Sequence, residues 1–265
     1  VEKTLAEALV LAALLGATLT DAGGQLTLQA QTENGAIAML VCDYRDGQLR
    51  GYAQSDPLTL AELPPNATLF GLFGKGYLAI TFDRDLPVGE GGGRYQGIVP
   101  LEGESLCAAA TAYFAQSEQI PTLLQVAVDH VGTAEGGRCI AGGFLIQHLP
   151  EGEVGRERLH VRHDHPEWEH VSVMAGSLTD AELCDSALSL EVIIWRLFHE
   201  EDQVRVESGN ALTKGCRCDP DHIRNVIARF PPDERAEMAD EKGEIVVNCE
   251  FCSSRFPISL VSLNN

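Results

Sequence analysis

Residues 36–54 read AIAMLVCDYRDGQLRGYAQ, two strand-like runs hinged on Asp46-Gly47. An Asp-Gly pair between such runs suits a two-residue hairpin, whose central positions need positive φ. On either side, QLTLQAQTENG (25–35), GYLAITFDRD (76–85) and RYQGIVPLEG (94–103) repeat the alternation of β-prone runs and turn residues, with Asn34-Gly35 read as a second two-residue turn. Residues 25–100 are therefore expected to form antiparallel sheet. Helical segments follow. SLCAAATAYFAQ (105–116) ends ahead of Pro121, and RCIAGGFLIQHLP (138–150) is a further apolar run. Strands and then helices, without regular βαβ alternation, indicate an α+β domain.

The most apolar stretch, LAEALVLAALLGATL (5–19), is shorter than the ~20 residues that span a bilayer. It contains Glu7, follows Glu2, and lacks the basic flank and cleavage site of a signal peptide. It reads as a buried core helix. With no export signal the expected compartment is the cytoplasm, where thiols stay reduced and clustered cysteines are metal ligands or redox groups. The chain starts at Val1 rather than Met, which is compatible with a segment ahead of it. Thirty-nine acidic against 19 basic residues give a formal charge of −20. That balance argues against nucleic acid and anionic membrane as partners.

Composition shifts after Pro150. EGEVGRERLHVRHDHPEWEH (151–170) is charged and poor in apolar residues, placing a linker or domain edge near Pro166. His160, His163, His165 and His170 are a candidate second metal site, but amid charge and beside a proline they read as a solvated face. Thr179 and Glu182 have capping-box spacing and are expected to open a helix running to about Phe198, with Leu183, Ala187, Leu190, Ile194 and Leu197 recurring at spacings of four and three. Leu188, Val192, Ile193 and Trp195 widen its apolar surface, so such a helix needs cover on several sides.

The last fifty residues hold four of the eight cysteines, as CRC (216–218) and CEFC (249–252), with thirty residues between the pairs. Asp219-Pro220 starts a helix carrying Ile223, Val226, Ile227 and Phe230 on one face; Pro231-Pro232 ends it; a short acidic helix runs towards Gly243. EIVVN and SRFPISL then read as strands flanking CEFC. Zinc takes four ligands in a tetrahedron, supplied in structural sites as two close pairs, and a tight turn between strands is a common half-site. The same sulfurs suit redox chemistry, because a metal-bound cysteine is a thiolate and its oxidation removes the ligand. A disulfide within CxC closes a small, strained ring that is easily reduced. Spacing alone leaves open an inert zinc site and a redox-responsive one.

The other candidates are weaker. Cys42, Cys107, Cys139 and Cys184 lie singly in apolar patterns and read as small buried hydrophobes. GLFGKG (71–76) and GEGGG (89–93) lack the Ser or Thr after Gly-Lys that a phosphate loop needs and read as hairpin loops. Ser117-Glu118 has neither a nucleophile elbow nor a placed His. No enzyme active site is legible.

Taken together, LAEALVLAALLGATL, GKGYLAIT (74–81), RYQGIVPLEG, YFAQSEQIPT (113–122), GGFLIQHLP (142–150), WRLFHEED (195–202), CRC and CEFC make the chain resemble the heat shock protein 33 family of redox-regulated bacterial chaperones. The resemblance implies an α+β, mostly antiparallel core that binds clients (1–164), a helical linker of low stability (165–213) and a small zinc-binding redox-switch domain (214–265). It implies one Zn2+ per chain, held in the reduced, inactive form by Cys216, Cys218, Cys249 and Cys252. Peroxide or hypochlorite, with mild unfolding stress, would form the disulfides Cys216–Cys218 and Cys249–Cys252 with loss of zinc and unfolding of the linker. The active form, a homodimer when oxidised, would hold unfolding proteins without ATP. The family carries a further segment ahead of the first helix. Leu190, Ile194, Trp195 and Leu197 are the candidate client surface, which the zinc-folded segment would cover in the reduced form. The competing readings are a zinc-ribbon binding module without redox switching and a thiol-disulfide oxidoreductase using CEFC.

Overall fold

The computed structural model describes residues 1–19, 23–64, 67–84, 93–118, 120–133, 136–149 and 165–263. Asp46 and Gly47 both take positive φ, 49° and 81°. They close the two-residue turn between β2 (Ile37–Arg45) and β3 (Gln48–Ser55), whose register pairs Arg45 with Gln48. β1 (Gln25–Thr32) lies antiparallel to β2 on one side and to β4 (Gly76–Arg84) on the other, and β5 (Gly93–Pro100) pairs with β4. With β8 (Thr213–Lys214) the sheet has the order β5-β4-β1-β2-β3-β8.

Alternation along these strands sends Leu26, Leu28, Ala30, Leu40, Cys42, Leu78 and Ile80 to one face, all essentially sealed from solvent. Thr27, Asp43 and Arg50 lie on the opposite face, where Thr27 Oγ1 donates to Asp43 Oδ1 (2.7 Å) and Arg50 Nε to its Oδ2 (2.6 Å). The buried face is covered by α1 (Glu2–Gly16), with Ala8, Leu11, Ala12 and Leu15, and by α4 (Leu106–Tyr113), with Leu106, Ala109, Ala110 and Tyr113. A helix apolar on nearly every side needs partners on every side. α1 has them, because it also contacts β6 (Thr122–Thr133) and β7 (Gly136–Gln147). Full burial of each Leu side chain contributes about 1.5–3 kcal/mol.

Several elements differ from the sequence reading. Asn34-Gly35 is not a two-residue turn. The β1–β2 connection is longer, neither residue takes positive φ, and Gly35 is where a Cβ would collide with the backbone of Phe73. GLFGKG is no hairpin loop either: α2 (Pro57–Glu62) and α3 (Leu69–Phe73) intervene between β3 and β4, and GLFGKG runs from α3 into β4. Of GEGGG, residues 89–92 lie outside the described residues and Gly93 opens β5. RCIAGGFLIQHLP forms most of β7, paired antiparallel along its length with β6. Gly142 and Gly143 are packing glycines there, since a Cβ at Gly142 would strike the Leu183 carbonyl and one at Gly143 the Val10 side chain. Cys42 is fully buried, whereas Cys107, Cys139 and Cys184 are only partly so.

After α5 (Pro166–Ala175), the expected helix from Thr179 to Phe198 is broken in two, α6 (Asp180–Leu183) and α7 (Leu190–Phe198). The capping box forms, with Thr179 N–H donating to Glu182 Oε2 and Glu182 N–H to Thr179 Oγ1. The break has a local cause: Asp185 Oδ1 accepts the Ala187 N–H (2.9 Å), and Ser189 caps the next helix by accepting from Val192 N–H. His165 and His170 are exposed and belong to no group of three or more potential metal ligands among the described residues, His170 Nε2 instead pairing with Glu201 Oε1 (2.8 Å); His160 and His163 lie outside them.

The chain divides into two compact units, Val1–Thr213 and Lys214–Asn265. The second contains α8 (Pro220–Ile227), α9 (Pro232–Met238) and the antiparallel pair β9 (Glu244–Asn248) and β10 (Arg255–Ser259), ending in a 3-10 turn, Leu260–Leu263. Asp219 caps α8 by accepting the Asp221 N–H (2.9 Å), and Arg235 Nη1 donates to Leu263 C=O (3.0 Å).

Candidate metal centre

CEFC occupies the turn between β9 and β10, where the pairing of Asn248 with Arg255 fixes both ends. Within it Cys249 N–H donates to Ser254 C=O (2.9 Å) and Ser253 N–H to Cys249 C=O (2.8 Å), with Ser253 in the left-handed region at φ 58°. This fold of the turn aims backbone N–H groups at sulfur: those of Cys252 and Phe251 at Cys249, and that of Ser254 at Cys252. CRC approaches from the chain just ahead of α8, and Asp219, next to Cys218, stops that helix from starting earlier.

The four sulfurs converge. Cys216 and Cys218 Sγ are 3.0 Å apart, Cys216 and Cys249 3.6 Å, Cys218 and Cys252 3.5 Å, and all four lie within 4.8 Å of one another. A tetrahedron with zinc–sulfur bonds of about 2.3 Å has sulfur–sulfur edges of about 3.8 Å. The separations of 3.0, 3.6 and 3.5 Å fall somewhat inside that edge, close enough for one ion to draw all four sulfurs to it, and each cysteine is half-buried, so the set suits a closed four-thiolate site.

Electrostatics divide the four. Hydrogen bonding with Cys216, and next with Cys249, pushes the Cys218 thiol up. Burial pulls Cys249 upward, but bonds with Cys218 and the N–H groups of Cys252 and Phe251 outweigh it and leave that thiol below its ordinary value. The Ser254 hydroxyl and N–H bring Cys252 down to about 6. The CxxC half-site thus favours the ligand-competent thiolate, and metal binding must displace the Cys218 proton.

The residues expected on the client surface lie on α7. Leu190 and Trp195 are 69% and 64% exposed, Ile194 and Leu197 half-buried, and only Ile193 of this helix is buried. Trp195 stacks on His199 at a centroid distance of 4.8 Å, and Arg196 pairs with Glu182 (2.7 Å). Splitting the expected helix shortens its apolar stripe. The role of Ser254 in lowering Cys252 was not legible beforehand, because it depends on the turn beyond the motif. No described helix is long and apolar enough to cross a membrane.

Comparison with known proteins places these observations. The family model described as Hsp33 protein matches residues 1–259. A 33 kDa chaperonin of Caulobacter vibrioides is 38% identical over 257 residues, covering 96% of this chain and 81% of the relative. A 33 kDa chaperonin of Salmonella typhimurium is 32% identical over 256 residues, covering 97% and 79%. Among solved structures, the crystal structure of a 33 kDa chaperonin (heat shock protein 33 homolog) from Thermotoga maritima superposes with a TM-score of 0.75 at 24% identity, over 98% of this chain and 83% of that one. That last likeness concerns the fold.

Proposed function

The chain belongs to the Hsp33 family, and from that premise we propose that it is a redox-regulated, ATP-independent holdase that binds unfolding proteins under oxidative stress. The observation that carries the reading is the convergence of Cys216, Cys218, Cys249 and Cys252 within 4.8 Å in a unit with little core of its own. In the reduced, inactive form these four thiolates hold one Zn2+, which supplies a structural cross-link. The domain assignment follows: residues 1–164 as the client-binding core, 165–213 as the linker and 214–265 as the switch.

Activation is an oxidation of the ligands. In each pair, Cys216 with Cys218 and Cys249 with Cys252, two thiolates give up two electrons as the disulfide forms, and those electrons, with two protons from solvent, reduce one hydrogen peroxide to two waters; with both pairs oxidised the Zn2+ is released. Both disulfides together consume every thiolate of the site, so the 214–265 unit loses its cross-link and the linker loses order. Leu190, Ile194, Trp195 and Leu197 then serve unfolding clients, with the oxidised protein acting as a homodimer in the cytoplasm. The acidic charge of −20 keeps the opened form in solution and disfavours nucleic acid and anionic membrane as partners.

The family's members are named as chaperones, not enzymes. CEFC in a strand-to-strand turn, rather than at a helix N-terminus, also disfavours a thiol-disulfide oxidoreductase. The test is a peroxide titration at mildly raised temperature that follows released zinc, free thiols and suppression of a model client's aggregation. The three should change together. Retained zinc and reduced thiols with no holding activity at any dose leave a zinc-ribbon module without redox switching. Polar replacement of Ile194 and Trp195 should weaken holding by the oxidised form; unchanged holding moves the client surface elsewhere.

A further inference from the structure

A second group of metal-ligating side chains lies in the first unit, remote in sequence from the four cysteines. His130 of β6 and Cys139 of β7 are directly opposed in the hairpin register, so their side chains leave the same face of the ribbon. Cys139 Sγ stands 3.6 Å from both His130 Nδ1 and Nε2. Glu2, the first residue of α1, brings a carboxylate to the same place because α1 packs on both strands. One ligand atom from each of Glu2, His130 and Cys139 lies within 4.8 Å of the others.

We propose that Glu2, His130 and Cys139 form a second metal site, an open one for Zn2+. The donors are one carboxylate oxygen, one imidazole nitrogen and one thiolate, the three ligand types zinc accepts, and three protein ligands leave a fourth position for water or an exchangeable ligand. The sulfur and nitrogen donors disfavour Mg2+ and Ca2+, which take oxygen. Carboxylate and thiolate charges together balance the dication. Asp129, whose Oδ1 accepts the His130 N–H (2.8 Å), adds negative charge nearby. Glu2 and His130 are exposed and Cys139 half-buried, so the ion enters from solvent without opening the core. Once bound it ties the start of α1 to the turn end of the hairpin. The fourth position stays exchangeable, unlike the closed four-sulfur set. Nothing in this site depends on the redox switch.

The test titrates Zn2+ into the reduced full chain against a chromophoric chelator. Wild type should take up two equivalents, the second more weakly. Cys139→Ser and His130→Ala should each lose the second and keep the first, whereas Cys218→Ser should lose the first and keep the second. A wild type that stops at one equivalent, or a second equivalent that survives in both Cys139→Ser and His130→Ala, overturns the proposal. Because either variant could disturb the hairpin, the site is also read in wild type by mass spectrometry of iodoacetamide labelling. Zn2+ should slow alkylation of Cys139 in step with the second equivalent; a Cys139 labelling rate indifferent to Zn2+ is equally decisive against it.

Discussion

The sheet unit and the cysteine unit are stabilised in different ways. In the first, Leu11, Leu15, Leu26, Leu28, Ile37, Leu40, Leu78, Ile80, Phe73 and Tyr113 are all sealed from water. In the second, the buried apolar residues among those described are Ile245 and Ile258. Two isoleucines contribute about 3–6 kcal/mol, against the apparent ~10–16 kcal/mol that zinc gives a small four-ligand site. One unit is held by apolar packing and withstands the loss of any single contact. On the proposed reading the other depends on four sulfurs, so a chemical change at those atoms would act on the whole of it.

The most severe way to break this contrast is at a ligand. Cys218→Ser should abolish metal binding at the four-sulfur site and strip hydrogen-exchange protection from residues 214–265 while β1–β5 keep theirs; intact protection in β9 and β10 would show that the unit folds without its metal. Leu28→Ala should lower the unfolding free energy of the sheet unit by about 2–5 kcal/mol in chemical denaturation, with zinc affinity at the four sulfurs unchanged. A coupled loss of affinity would mean that the two units share their stability.

Glu7 sharpens the comparison, because it is a polar exception inside the apolar unit. Its Oε1 accepts the Cys107 N–H at the start of α4 (2.9 Å), and burial raises its pKa above 4.5 despite that bond. Glu7→Leu leaves the N–H without a partner and should cost about 1–3 kcal/mol, whereas Glu7→Gln keeps an acceptor. The folded state binds the Glu7 proton more tightly than the unfolded state does. The associated stability is therefore full below the unfolded pKa and lost as pH rises through the folded one. Wild-type stability relative to Glu7→Gln should fall as pH rises from about 4.5, and a pH-independent difference between the two would exclude this linkage. The smallest effect is expected at Asp219→Ala, about 1 kcal/mol from loss of the α8 cap, visible as reduced amide protection confined to α8.

Local chemistry was legible in the sequence where it acts alone. Asp46-Gly47, Asp219-Pro220, the Thr179–Glu182 capping box and the strands around CEFC form from neighbouring residues, and the structure has all four. What escaped depends on distant partners. RCIAGGFLIQHLP reads as an apolar run among helical segments, yet it lies in β7, where Leu183 and Val10 leave no room for a Cβ at Gly142 and Gly143. Misreading β7 hid its pairing with β6, and with it the juxtaposition of His130 and Cys139. The α6–α7 break was missed because apolar periodicity runs through it, while the side chains of Asp185 and Ser189 decide the backbone. The two cysteine pairs were legible as pairs; that Ser254 brings Cys252 down depends on the geometry of the turn.

The sulfur distances also bear on the topology of cross-linking. A metal joining Cys216 and Cys218 to Cys249 and Cys252 closes both short loops and, beyond them, a loop of about thirty residues worth about 4 kcal/mol of unfolded-chain entropy, whereas a disulfide within either pair closes only its own short loop, worth about 2 kcal/mol. Oxidation of each pair within itself would therefore keep the two short closures and lose the long-range one. The chain would carry more covalent bonds than before and yet be freer to open, and the reaction that hardens an ordinary secreted protein would loosen this one.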